Sequence, residues 1–476
     1  MKYKIIIFSL LSLFFFQLNY AQEEIEYEIN QQPTKFNFHN KLEDFVKIDD
    51  SLFILKKGVR IVDVFKQNEF PQELQLLNSS NQLLAVREIK DTLIHKISYH
   101  SNKVHMYYSS HNGVLNVQQI DSKNLLNLGS ATPILELRSK KTKPKKISHY
   151  AFPEIIFSDD RSKVGIVQSY FEDGKMIFNV NVFDDQINEL YHKQIKTNNK
   201  YVHDFYWESS LLQNNGNIYL SGVSDKGIIK IYGTNSSDNF EYSWGEDRKK
   251  TFIALSKLKI IDKKLSYLYL VRSKRADVPK LYFGSFDKNL KPLEEKEIEL
   301  NNNADSVVEE YGSGSLKIKN LIELSNQNGY LLIAEYFSPP PPTPILGTLI
   351  IPNYKPDDFE TGSIIVIHLD NKLEVKLKKV IPKKQANRFT FMDGHGLLVQ
   401  EKAAYFLFYD RLNLQKANFQ VTKLDLKNGD VSNHILFNSK EIKKLILDPG
   451  GCVQINNNTV LVGTGHGRRT VKISLQ

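Results

Sequence analysis

The chain has 476 residues, 41% apolar and 25% charged, with a formal net charge of +9 and one cysteine. A single thiol excludes disulfides within the chain, and a chain this long can bury a large core without them. The positive balance is a diffuse lysine excess rather than arginine clustered with aromatics, so no nucleic-acid partner is expected.

Residues 1–21 have the three parts of a secretory signal peptide. Lys2 and Lys4 are the basic start, Ile5-Ile6-Ile7-Phe8 through Leu13-Phe14-Phe15-Phe16 the apolar core, and Asn19-Tyr20-Ala21 the small-residue end before Gln22 and the acidic residues from Glu23. The apolar stretch is too short to span a bilayer comfortably, and no later run approaches that length. Gln22 stands where a lipoprotein needs a lipid-bearing cysteine, so N-terminal lipid anchoring is not expected. The expectation is export to the periplasm or medium, with a mature chain of one domain over 22–476 and no transmembrane segment.

From about residue 35 onward the dominant period is two. Val104-His105-Met106-Tyr107-Tyr108 runs to Asn112-Gly113 and then Val114-Leu115-Asn116-Val117. Val164 to Val167 leads to Asp173-Gly174 and on to Ile177 through Phe183, and Ile218-Tyr219-Leu220 leads to Lys226-Gly227 and Ile228 through Tyr232. Asn-Gly and Asp-x-Gly turns between β-branched and aromatic runs predict hairpins, because glycine supplies the positive φ of tight turns. Helical periodicity is nearly absent; Ser439 to Leu447 is the best short candidate and reads equally well as a strand.

Strand groups recurring at roughly 50–65 residues without a clean linker predict an all-β fold, a β-propeller of about seven blades, with six or eight possible. Thr470-Val471-Lys472-Ile473-Ser474 is expected to pair near the N-terminal strands and close the ring. A proline-rich insertion at 338–360, including Pro339-Pro340-Pro341-Pro342, is expected as a stiff loop between two strands of one blade. Cys452 lies in an apolar alternation, Gly451-Cys452-Val453-Gln454-Ile455, and is expected as a buried, inert thiol.

Phe157-Ser158-Asp159-Asp160-Arg161-Ser162-Lys163-Val164, continuing through Val182-Phe183-Asp184-Asp185 to Leu190, resembles a blade of secreted Bacteroidetes propeller-like proteins. So do Asn215 to Gly222, Gly362 to Ile367 and Val380 to Gln385, and the signal ending Tyr20-Ala21-Gln22 suits the same group. The resemblance covers about residues 150–440. It implies the fold and an exported address, and neither an activity nor a site residue. The chain lacks the Asp-rich motifs repeated blade after blade in calcium-binding propellers.

The strong chemical motifs are missing: no H-E-x-x-H, no G-x-S-x-G, no P-loop and no Cys-x-x-Cys. Gly463-Thr464-Gly465-His466-Gly467 has no following helix and is not a dinucleotide fingerprint. No cofactor, no metal and no catalytic residue is assigned. Asp159-Asp160 and Asp184-Asp185 fit turn capping, with a general acid and base as the sharper alternative. Candidate ligand-binding residues of the funnel face are His203, Asp204, Trp207, Asp393, His395 and His466. Tyr201, Tyr206 and Trp207 offer a stacking platform, and the glycines flanking His395 and His466 would expose the imidazoles. Arg138, Lys140, Lys141, Lys143, Lys145 and Lys146 form a basic segment suited to an anionic partner. The preferred function is a secreted, non-enzymatic binding or scaffold propeller of the cell envelope, holding a protein or glycan. The competing class is a carbohydrate- or peptide-active enzyme with carboxylates in the central funnel, and the oligomeric state stays open.

Overall fold

The computed structural model describes the strands and turns between residues 25 and 475. Outside the described residues lie 1–24, 30–39, 60–71, 139–152, 198–205, 224–227, 245–251, 273–279, 299–314, 325–328, 339–359, 387–393, 411–416, 439–446 and 465–469, with 50–51, 90–91, 111, 174, 262–263, 384 and 476. The expected signal peptide, Pro339-Pro340-Pro341-Pro342 and all but Leu447 of the helix-or-strand candidate Ser439 to Leu447 fall there; Leu447 begins a strand. There is no helix among the described residues.

The described strands form eight antiparallel sheets, each of four consecutive strands except the sixth, where Gln385–Ala386 also pairs with Glu360–Leu369, and the last. The ring is therefore a β-propeller of eight blades, the upper end of the expected range. Except between blades six and seven, the first strand of each blade lies against the first strands of its neighbours. These inner strands are Asn40–Lys47, Thr92–His100, Glu154–Phe157, Tyr206–Leu212, Phe252–Ile261, Ser315–Glu323, Gly396–Val399 and Leu447–Asn456, in blades one to eight.

Blade eight closes the circle with both ends of the chain. Its outermost strand is Ile25–Ile29, paired antiparallel to Thr470–Leu475 from Ile25 opposite Leu475 to Ile29 opposite Val471. This is the expected closure, and it removes the free edges of an open array. A buried clasp supports it from blade one: Asn81 Nδ2 donates to the Thr470 carbonyl at 3.1 Å, and Thr470 Oγ1 donates to Asn81 Oδ1 at 2.7 Å.

The core is divided among the gaps between blades. Leu331 and Ile333 of blade six pack against Ala404, Phe406 and Phe408 of blade seven. The intervening Tyr330, Leu332 and Ala334 pack instead against Leu281 and Phe283 of blade five. A strand buried on both faces must be apolar at successive positions, which explains the unbroken runs Tyr330–Ala334 and Ile364–Ile367.

Antiparallel order sorts the connections onto two faces. One face carries the first-to-second and third-to-fourth strand turns, which are tight. Seven of the latter begin with Asn78, Asp121, Asp184, Asn235, Asp287, Asp370 or Asp425, whose Oδ1 accepts the amide two residues on. Leu125, Ile187, Leu290 and Leu373 follow at φ of 60 to 65°. A left-handed non-glycine residue is costly. Leu125, Leu290 and Leu373 bury their side chains beneath their turns and so offset that cost.

The other face carries the second-to-third connections and those between blades, several of them long. The Asn112-Gly113 hairpin is on this face and short, with Gly113 at φ 76°. The proline-rich stretch joins Tyr330–Ser338 to Glu360–Leu369, adjacent strands of blade six.

Candidate functional site

On the face of long connections, the gap between blades six and seven holds a buried cluster of charged side chains. Glu335 continues the series Leu331, Ile333 that faces blade seven, so a carboxylate occupies what is otherwise an apolar position. It is fully buried, as is Lys383 in the connection leaving blade six. Lys383 Nζ donates to Glu335 Oε1 and, at 3.1 Å, to the Gly394 carbonyl. Lys319 Nζ stands 3.3 Å from Glu335 Oε2, and His395 Nδ1 stands 3.5 Å from Oε1.

Burial alone would raise the Glu335 pKa. The Lys383 ammonium, His395 and Lys319 outweigh it and hold the carboxyl well below the usual carboxylate range. Burial lowers the His395 pKa against the pull of Glu335, with Lys383 and Lys319 adding to the lowering, so its ring is neutral at pH 7. The cluster is thus one anion held by two cations and a neutral imidazole. Sealed as it is, it ties the connection before blade seven onto blade six.

The glycines around His395 do not expose it: Gly394 supplies a φ of 99°, and Gly396 serves close packing. The His395 side chain is 3% exposed and lies against Phe406 at a 5.7 Å centroid distance. A Cβ at Gly396 would stand 2.6 Å from Cys452 Cβ and 2.9 Å from its Sγ. Cys452 itself is partly buried against the core between blades seven and eight, and burial pushes its thiol up to about 12.

His203, Asp204, Asp393 and His466 lie outside the described residues, as do Lys140, Lys141, Lys143, Lys145 and Lys146. Their positions in the chain are nevertheless informative. His203 and Asp204 precede blade four, Asp393 precedes blade seven, His466 joins the second and third strands of blade eight, and the lysines join blades two and three. Trp207 is the second residue of Tyr206–Leu212, opposite Gly222 and beside a register shift. Arg138 is already engaged: it pairs with Glu172 and stacks over Tyr170 at 5.3 Å from the ring centroid.

The acidic pairs belong to the tight-turn face. Asp160 accepts from Ser158 Oγ at 2.7 Å and from the Ser162 amide at 3.0 Å. Asp184 accepts from the amides of Gln186 and Asn188 at 2.9 and 2.8 Å. Both cap turns, as the first of the two expectations had it. Among the described residues no three His, Cys, Asp or Glu side chains gather as a metal-ligand set. Glu335 and Lys383 went unmarked in the sequence; the one signal was a glutamate ending the apolar run Leu331-Leu332-Ile333-Ala334.

No protein-family model matches the chain, and no curated protein matches it. Among solved structures, it is similar to Sqt1 of Saccharomyces cerevisiae at 10% identity, covering 92% of this chain and 97% of that one, with a TM-score of 0.47. The WD40 domain of SCAP from fission yeast is similar at 8% identity, over 94% and 98% of the two chains, with a TM-score of 0.44. The β-propeller domain of the Trilobed protease from Pyrococcus furiosus is similar at 14% identity, over 86% and 98%, with a TM-score of 0.39.

Proposed function

We propose that this chain is an exported binding propeller of the cell envelope, holding a protein or glycan on its face of long connections and leaving that partner chemically unchanged. The observation that carries this is the inequality of the two faces. The tight turns are closed by their own backbone hydrogen bonds, whereas His203, Asp204, Asp393, His466 and the lysine segment all belong to connections of the other kind. Connections on a rigid ring are where binding residues concentrate. Both acidic pairs considered for acid–base chemistry are committed at least in part to turn capping, which favours binding over turnover.

Export is supported by the residues that remain after it. The closing strand begins at Ile25, so removal of residues 1–21 leaves every described strand intact. Among the described residues no helix is long and apolar enough to cross a membrane. The likeness of the blades to secreted Bacteroidetes proteins points to the same compartment.

The test is capture of envelope material by the mature protein, compared with a variant carrying Gln at Lys140, Lys141, Lys143, Lys145 and Lys146. Capture by the parent is expected to weaken as salt rises from about 50 to about 500 mM, because the screening length contracts to a few ångströms. The variant is expected to lose that salt dependence while staying folded, since loop lysines contribute little stability. Equal, salt-sensitive capture by both proteins would remove the basic segment from the interface. Turnover of a glycan or peptide, abolished by changing Asp393, would replace binding with catalysis.

A further inference from the structure

The opposite face holds a different feature, a polar cleft of about 370 Å³ between blades two and three. Its volume lies in the range of small-molecule sites, which starts at about 300 Å³. The floor is one face of the blade-two sheet. His105 stands opposite Gln119, Gln119 opposite Leu128, and Val117 opposite Thr132, so alternate residues of three adjacent strands point the same way. The wall is the blade-three turn that follows Asp184.

From this geometry we infer a second binding site, for a small zwitterion with an aliphatic body: an amino acid or a dipeptide. It is independent of the function proposed for the other face. The described lining contains one cation, Lys103, and one anion, Asp185. Asp185 is tied to blade two by Ser101 Oγ, which donates to its Oδ2, and that fixes the carboxylate at the rim. A ligand carrying both an ammonium and a carboxylate matches the anchored Asp185 carboxylate and the exposed Lys103 ammonium; a ligand of one sign meets repulsion from one of them.

The third titratable group of the lining adds no charge. His105 is 3% exposed and stacks on His100, with ring centroids 4.0 Å apart. Burial, with His100 and Lys103 beside it, pushes the His105 pKa down to about 4, while Asp185 acts the other way. At neutral pH the imidazole is therefore an uncharged wall. The apolar lining is aliphatic, from Val117, Ile187 and the 49% exposed Leu128. No Phe, Tyr or Trp is among the described lining residues to stack on a sugar, and the His105 ring is already stacked on His100. An aliphatic side chain is the better match.

Calorimetric titration of the mature protein with alanyl-leucine tests this, with N-acetyl-alanyl-leucine amide and maltose as comparisons. Saturable binding of the free dipeptide is expected, with the blocked peptide and maltose weaker. Lys103→Gln and Asp185→Asn should each weaken it about two- to fivefold, the scale of one partly exposed ion pair. Asp185→Asn keeps an acceptor for Ser101, so the wall stays in place, and circular dichroism confirms that both variants are folded. Affinity should be level between about pH 6 and 7, where neither His105 nor the α-amino group of the dipeptide, with its pKa near 8, titrates, and should fall above about pH 8 as the ammonium is lost. Absence of saturable binding by the folded parent, equal binding of the blocked peptide, or preference for maltose would overturn the inference.

Discussion

The two faces of this ring are built on different principles. The tight-turn face repeats one local device: an Asp or Asn that accepts the amide two residues on, in several turns followed by an aliphatic residue at positive φ, pressed into the core. Each turn is complete within about five residues. Where the face of long connections can be followed between blades six and seven, it is held by a non-local device. Glu335 lies 48 residues from Lys383, and the charges in that gap depend on one another. Local devices survive independently, whereas a shared buried network fails as a unit.

That contrast breaks most visibly at Lys383. Replacing it with Met leaves Glu335 buried against His395 and the partly exposed Lys319, and is expected to cost about 3–5 kcal/mol. The double variant Glu335→Leu, Lys383→Met should recover most of the loss, because an apolar pair of similar volume suits an interface that is otherwise apolar. Urea unfolding of the three proteins measures both effects. A loss below about 1 kcal/mol for the single variant would mean that the ion pair does not hold the gap between blades six and seven.

Acid gives a second, smaller separation, now on the tight-turn side. His105 has a folded pKa near 4 against an ordinary 6.5, so the unfolded chain takes up the proton first as pH falls. Stability is then complete above about pH 6.5 and declines by roughly 2–3 kcal/mol towards pH 4. Urea midpoints at about pH 7.5 and pH 5 read this, and His105→Gln should flatten the slope. The depressed Glu335 pKa adds its own loss only lower, below the ordinary carboxylate range near 4.3. An unchanged slope in His105→Gln would locate the acid sensitivity elsewhere.

The smallest effect is expected for a single turn. Asp370→Ala removes the acceptor for the Lys372 and Glu374 amides, both at 2.9 Å, and should cost about 1 kcal/mol. Thermal unfolding measures it. A loss as large as that at Lys383 would show that the turns are not independent units.

The regular period of two, the turn at Asn112-Gly113 and the pairing of the last strand with the first follow from the sequence alone. Each depends on side-chain alternation, on local φ, or on the need to hide two sheet edges. The blade number does not: strand spacing suggests about seven, and the turn device does not count blades, because Asn112, Asp160, Asn215 and, in blade eight, Asn456 use it in other turns. The Glu335 cluster was beyond sequence reasoning. Alternation places Glu335 in phase with Leu331 and Ile333 but does not say what faces it across the gap between blades. Only the closed ring brings Lys383 and His395 onto one carboxylate and sets Asp185 against Ser101, 84 residues apart. Tertiary structure decided these contacts because they lie between blades, where neighbours are set by the rotation of one sheet on the next rather than by the local chain.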